Sequence, residues 1–295
     1  MTETTDTPAR PRILIGVDGS EDGIRATRYG IGRSKRLDED LWLVNALDDG
    51  VAAGGWGVIY DPTVLEEAGR AAVEQARSVA LEAGVADDHI ITSVLVGHPA
   101  SVLAELSEQA EILIVGRRSA SGIERMFVGS TSTSLASCSA CPLVVISDAS
   151  TPQPTGRFAK VAVAVGSGRS DKALRWGAKE AASRNSSLDV VHVIPTRPRG
   201  ILSVINQHPD EATDWDDRTR ADLERMVEPL REEFPSVTIT TRSHWDVPID
   251  RLIGETAEVD LLVLSVRARP VTGIALGGPI RGVLAHAACP VALIR

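Results

Sequence analysis

No apolar run in the 295-residue chain approaches the ~18–20 residues that span a bilayer. The first twelve residues are polar and contain no apolar signal core, so nothing directs export and the expected location is the cytoplasm. Cysteine is scarce, with three residues, which excludes a disulfide framework. Positive charge is in deficit: 31 Lys and Arg against 40 Asp and Glu give a net charge of −9. An acidic surface repels phosphate backbones, so nonspecific nucleic-acid binding is not expected beyond a local basic patch. Three catalytic or phosphate-binding signatures are also missing: the Gly-x-x-x-x-Gly-Lys-Ser/Thr loop, a Gly-x-Gly-x-x-Gly opening the first helix, and a Gly-x-Ser-x-Gly elbow. What remains is a composition typical of globular proteins, 43% hydrophobic and 24% charged, and a length that suits two domains.

The chain repeats itself. Ile13-Leu14-Ile15-Gly16-Val17-Asp18 returns as Val161-Ala162-Val163-Ala164-Val165-Gly166, and Cys141-Pro142-Leu143-Val144-Val145-Ile146 returns as Cys289-Pro290-Val291-Ala292-Leu293-Ile294. Both landmark pairs, 18 with 166 and 141 with 289, are 148 positions apart. A period this long with matched ends means two homologous domains rather than a solenoid. We place them at 1–150 and 151–295, with a linker over 147–158 that carries Pro152, Pro154 and Gly156.

Within each copy, short apolar runs of strand length alternate with helical patterns. In the first copy, strands are expected over 13–17, 41–46, 90–96, 112–115 and 143–146. Helices are expected over 21–36, 62–83, 99–109 and 130–139. The second copy predicts strands over 161–165, 188–194, 237–241, 261–264 and 291–294. Its helices are expected up to 182 and near 214–233, 248–257 and 279–287. Strands of this kind between helices imply a parallel sheet covered on both faces, with ligands taken beyond the carboxyl ends of the strands.

Two places at that end carry chemistry. The first is Val115-Gly116-Arg117-Arg118-Ser119, followed after nine residues by Gly129-Ser130-Thr131-Ser132. It runs from a strand end to a helix start, where free N–H groups and the helix dipole favour phosphate oxygens. Gly116 is expected to let backbone approach a ligand, Arg117 and Arg118 to neutralise phosphate, and Ser130, Thr131 and Ser132 to add hydroxyls. The bland alternative is a common glycine turn with a Ser/Thr helix cap. The second place is Asp18, ending the first strand. Its carboxylate suits a ribose hydroxyl or an adenine amino group, and its alternative role is to cap the next helix. Cys138 and Cys141 form a Cys-x-x-Cys at a helix end, the wrong end for redox chemistry, so packing is expected. His98 reads as an exposed loop residue near the cleft, ahead of a catalytic base. Acidic runs such as Asp38-Glu39-Asp40 read as solvated surface.

Taken with Ile15-Gly16-Val17-Asp18-Gly19-Ser20, the 115–130 spacing and the Cys-Pro-Leu-Val-Val-Ile run, the chain resembles the universal stress protein family in its tandem form, from residue 12 to 295. The resemblance implies an α/β fold, each domain a five-stranded parallel sheet with helices on both faces, Rossmann-like and similar to the adenine nucleotide alpha hydrolases. It also implies ATP, with or without Mg²⁺, held in binding members by Asp18, Ala46, Val115, Gly116, Arg118, Ser119, Gly129, Ser130, Thr131 and Ser132. Ser119 stands where the family motif has its second Gly. The second copy departs further: Gly166 replaces the Asp, Ser265-Val266-Arg267-Ala268 lacks the first pair of glycines, and Gly277-Gly278-Pro279 replaces Gly-Ser-Thr, with Pro279 removing an N–H donor.

The sequence reading is therefore an ATP-binding regulatory module, nucleotide in the first domain and a structural second domain. A nucleotide-free dimeric interaction protein and a slow nucleotidase stand as alternatives. No catalytic residue or protein metal site is assigned. The expected partners are an adenine nucleotide and a second domain, either as a homodimer or as an intrachain pseudo-dimer paired through the final strands. Neither nucleic acid nor a membrane is expected as a partner.

Overall fold

A computed structural model describes residues 10–48, 62–117, 129–147, 149–150, 159–166, 170–195, 209–266 and 278–295. In the first half the elements run β1 (Arg12–Gly16), α1 (Glu21–Leu37), β2 (Asp40–Leu47), α2 (Pro62–Glu82), β3 (Ile90–Val96), α3 (Pro99–Leu106), β4 (Ile112–Gly116), α4 (Ser130–Cys138) and β5 (Leu143–Ile146). The second half gives β6 (Lys160–Val165), α5 (Asp171–Ser183), β7 (Ser187–Pro195), α6 (Pro209–Glu233), β8 (Ile239–Asp246), α7 (Pro248–Thr256), β9 (Leu261–Ser265), α8 (Gly278–His286) and β10 (Val291–Ile294). This is the α/β architecture the sequence predicts.

All ten strands belong to one sheet, ordered β3-β2-β1-β4-β5-β10-β9-β6-β7-β8. Each half is parallel, and the halves meet where β5 and β10 pair antiparallel, so the intrachain pseudo-dimer is the arrangement found. Side chains of β1 alternate as strand geometry requires. Ile13 and Ile15 join a core with α1, α2, α5 and α6, while Leu14 faces the other core with α3, α4, α7 and α8. Both cores draw residues from both halves.

Local chemistry sets the element ends. Ser20 caps α1 by accepting from the Gly23 N–H at 3.1 Å, and Asp38 closes it in the left-handed region at φ 56°. Gly19, at φ +76°, makes the turn from β1 into that cap without the steric cost a side chain would carry.

Four expectations need correction. β8 begins at Ile239 rather than 237, because Val237 N–H closes a turn onto the Phe234 carbonyl; the strand then continues to Asp246 along a long β7 partner. α6 begins at Pro209, earlier than 214. The start of the expected linker is ordered: Ser147 and Ser150 are buried, the Ser147 N–H donates to Ser150 Oγ at 2.6 Å, and Ser147 Oγ donates to the Ala287 carbonyl at 3.3 Å. Residues 151–158 lie outside the described residues. Finally, Glu39 is not solvated surface. It is buried and holds Arg33 through two bonds, at 2.7 and 2.9 Å.

Candidate functional site

A cavity of about 460 Å³ opens at the carboxyl ends of β1, β2 and β4. β1 lies between β2 and β4, and the chain leaves these strands in opposite directions, so this is the switch point at which doubly wound sheets take ligands. The volume falls within the ordinary range for small-molecule sites. The far wall is α2, through Leu65, Ala68 and Gly69, and the starts of α3 and α4 close the rim.

Asp18 lines this cavity and is exposed. It does not cap α1, because Ser20 does. Instead Asp18 Oδ1 accepts from the Ser20 N–H at 3.0 Å and from Ser20 Oγ at 2.5 Å, which fixes the carboxylate at the mouth. Ala46 and Val115 line the same space from β2 and β4.

The start of α4 lines the same cavity. Gly129 is its N-cap and offers no side-chain cap, so the first-turn N–H groups point out of the helix. Gly129, Ser130, Thr131 and Ser132 all line the cavity. Their hydroxyls are not equivalent. Ser132 is buried, and its hydroxyl donates back to the Gly129 carbonyl at 3.1 Å, so it is not the ligand donor expected from sequence. Among the described residues, Ser130 and Thr131 spend no hydroxyl on the protein.

Two other expectations change. Gly116 lines the cavity, but its missing side chain is explained by packing: a Cβ there would fall 2.5 Å from the backbone carbon of Asp22 in α1. Arg117 turns away from the phosphate end. It is buried, and its guanidinium donates to the Leu284 and Ala285 carbonyls at the end of α8, where the helix dipole favours a cation. Arg118 and Ser119 lie outside the described residues.

The sequence reading missed Asn45. Its Nδ2 donates to the Val17 carbonyl at 2.7 Å, tying the ends of β1 and β2 at the cavity floor. The second half repeats the tie with His192, whose Nδ1 lies 2.8 Å from the Val165 carbonyl. Aligning the copies residue by residue would have exposed that pair. His98 is exposed, as expected, and lines the cavity rim.

In the second half, Gly166 stands at the Asp18 position and Pro279 sits in the first turn of α8. Residues 267–277 lie outside the described residues. Burial pushes the Cys141 thiol up to about 11 and the Cys289 thiol up to about 12, which disfavours their thiolates; all three cysteines are free, and Cys138 is exposed. Among the described residues, no three His, Cys, Asp or Glu side chains gather to hold a metal, and no helix is long and apolar enough to cross a membrane.

Comparison with known proteins supplies the kinship. The profile of the Universal stress protein family matches twice, over 10–147 and 157–295. A universal stress protein of Mycolicibacterium smegmatis is 27% identical over 293 residues, covering 96% of each chain. One from Mycobacterium tuberculosis is 27% identical over 299 residues, again at 96% of each. The crystal structure of a universal stress protein from Archaeoglobus fulgidus superposes with a TM-score of 0.69 at 19% identity, covering 96% of both chains, which speaks for the fold alone.

Proposed function

The chain belongs to the universal stress protein family, and on that footing we propose that its first domain is an ATP-binding regulatory module. One observation supports the reading: Asp18 and the N-terminus of α4, which carries no side-chain cap, line a single cavity. In this reading Asp18 accepts from the ribose or the adenine amino group. Ala46 and Val115 border the base and sugar. The N–H groups and hydroxyls of Ser130 and Thr131 receive the phosphates, where the helix dipole adds to their attraction. Gly129 leaves that helix start uncovered. Among the described residues no three His, Cys, Asp or Glu side chains gather to hold a metal, so a Mg²⁺ ion would enter with the phosphates. Arg118 and Ser119 remain part of the proposal as the flanks of the phosphate loop. The second domain lacks the acid and the hydroxyl-bearing helix start, so its role is to complete the sheet.

In this reading the module senses ATP by binding it rather than by turning it over. Binding shifts the protein toward whichever conformation holds ATP more tightly. Titration calorimetry of the full chain with ATP tests this. The wild type should release or take up heat saturably. Asp18→Ala should weaken binding about tenfold or more, as expected for one lost hydrogen bond to a charged group. A wild type with no measurable binding at millimolar ATP ends the proposal. The nucleotide-free interaction protein remains the second reading, favoured by the inward-turned Ser132 hydroxyl and by Arg117 being drawn to the other half.

A further inference from the structure

The two halves are related by a pseudo-twofold axis, and the residues on that axis identify its course. In the β5–β10 pairing, Val145 faces Val291, Val144 faces Ala292 and Leu143 faces Leu293. Positions 144 and 292 are equivalent in the two copies, so each meets its own counterpart there. A residue that touches its counterpart lies on the axis.

A second pair does the same among the helices. Gly30 in α1 and Gly177 in α5 are counterparts: a Cβ on Gly30 would fall 2.4 Å from Ile15 of β1, and one on Gly177 would fall 2.4 Å from Val163, the matching residue of β6. Three positions on from each come Arg33 and Glu180, and these two side chains pair directly, with Arg33 Nη1 donating to Glu180 Oε1. Both are buried, at 7% and 3% exposure. The same axial position thus carries opposite charges in the two halves.

The surroundings reinforce the polarity. On one side Glu39 grips Arg33. On the other, Arg184 Nε donates to Glu180 Oε2 at 3.1 Å, and Arg184 Nη2 donates to the Tyr29 hydroxyl at 2.6 Å while stacking over its ring at 5.3 Å. Neither Tyr29 nor Arg184 has a like residue at its counterpart position: those are Trp176 and Leu37. Were two first domains to pair across this axis, buried Arg33 would face Arg33. Two second domains would set Glu180 against Glu180. Each charge would keep the partner from its own half, Glu39 or Arg184, but two like charges would stand in contact at a buried position, where repulsion is little screened.

We propose that this axial Arg33–Glu180 pair determines which domain pairs with which: the β5 face of the first domain accepts the β10 face of a second domain and rejects another first domain. The partner this surface fits is the second domain of the same chain, which the linker holds at high local concentration. The interface is a lock against self-assembly as well as a contact.

Complementary charge reversal in the full chain tests this. Arg33→Glu leaves acid at both axial positions, and Glu180→Arg leaves base at both. Each variant alone should fail to close on itself. Mixed, the acidic and basic chains should exchange domains into one-to-one heterodimers, resolved from either parent by native mass spectrometry. If both variants fold and the mixture forms no heterodimer, the proposal is wrong. A second arm stands even where those variants fold poorly. Replacing Arg33, Glu39, Glu180 and Arg184 together with Met exchanges the whole buried cluster for apolar side chains, which buried ionic clusters commonly tolerate. Mixing isotopically light and heavy chains of that variant should give mixed dimers at about ten times the wild-type fraction, equivalent to ~1.4 kcal/mol of lost discrimination. Equal fractions in wild type and variant overturn the idea.

Discussion

Gly116 and Gly166 read alike in sequence, one small residue at the end of an apolar strand, yet they answer to different forces. A side chain on Gly116 meets the backbone of Asp22, which cannot rotate aside. Gly116→Ala should therefore cost about 1–3 kcal/mol by overpacking. At Gly166 a Cβ meets no atom within 4 Å among the described residues and the backbone is not left-handed. Gly166→Ala should be neutral or raise stability by about 0.4–1 kcal/mol, through lost freedom in the unfolded chain. Urea unfolding of both variants checks the contrast, and equal effects would contradict the packing account. Glu180 gives a second residue-level test. Burial alone would push its pKa up, but Arg184, Arg33 and Arg36 outweigh burial and hold it below its ordinary 4.5. A depressed carboxylate stabilises the fold above the unfolded value and loses that contribution as pH falls through the folded one. Glu180→Gln should therefore cost about 3–5 kcal/mol at pH 7, and the gap to wild type should narrow as pH drops below about 4.5. A gap independent of pH would show that the charge is not what matters.

Arg117 joins elements rather than residues: it leaves β4 beside the cavity and ends on the last carbonyls of α8 in the other half. Arg117→Ala should lose about 1.5–3 kcal/mol, the range for a hydrogen bond to a charged group, while Arg117→Lys should recover part of it by keeping the cation at the helix end. Thermal or urea unfolding decides; an alanine variant as stable as wild type would remove the tether. At this scale the sequence was most readable where one force acts alone. The strand at 90–96 and the helix starting at Pro62 show in apolar periodicity, and the meeting of Asp18 with Gly129-Ser130 in one cavity follows from their places after strand ends of a parallel sheet. The continuation of β8 past 241 was hidden because Arg242, Ser243 and His244 are polar, and only pairing with β7 makes them a strand. Asn45 was hidden because a single buried amide between two strand ends has no local pattern. Ser132 and Arg117 were misjudged because composition gives a group's chemistry but not its direction. Glu39 read as surface because its partner Arg33 sits 6 positions away and is itself buried against Glu180, 147 positions from Arg33.

One sheet and two shared cores make the whole molecule more than two tethered domains. Polar features that cross between halves include the β5–β10 ladder, the buried cluster of Arg33, Glu39, Glu180 and Arg184, the Arg117 contact to α8 and the Ser147 bond to the Ala287 carbonyl. The ladder is short, three residue pairs, so most of the coupling must come from side chains. Unfolding one half would uncover the apolar strands of the other and leave buried charges without partners, a cost of several kcal/mol. The halves should therefore unfold together. Hydrogen exchange followed by mass spectrometry should give β1 and β4 the same opening free energy as β6 and β9 in the wild type. In Glu180→Gln that equality should break, with one half opening at lower free energy than the other. If the two halves already open at different free energies in the wild type, the side-chain cluster does not couple them, and the shared sheet is continuous in geometry without being cooperative in energy.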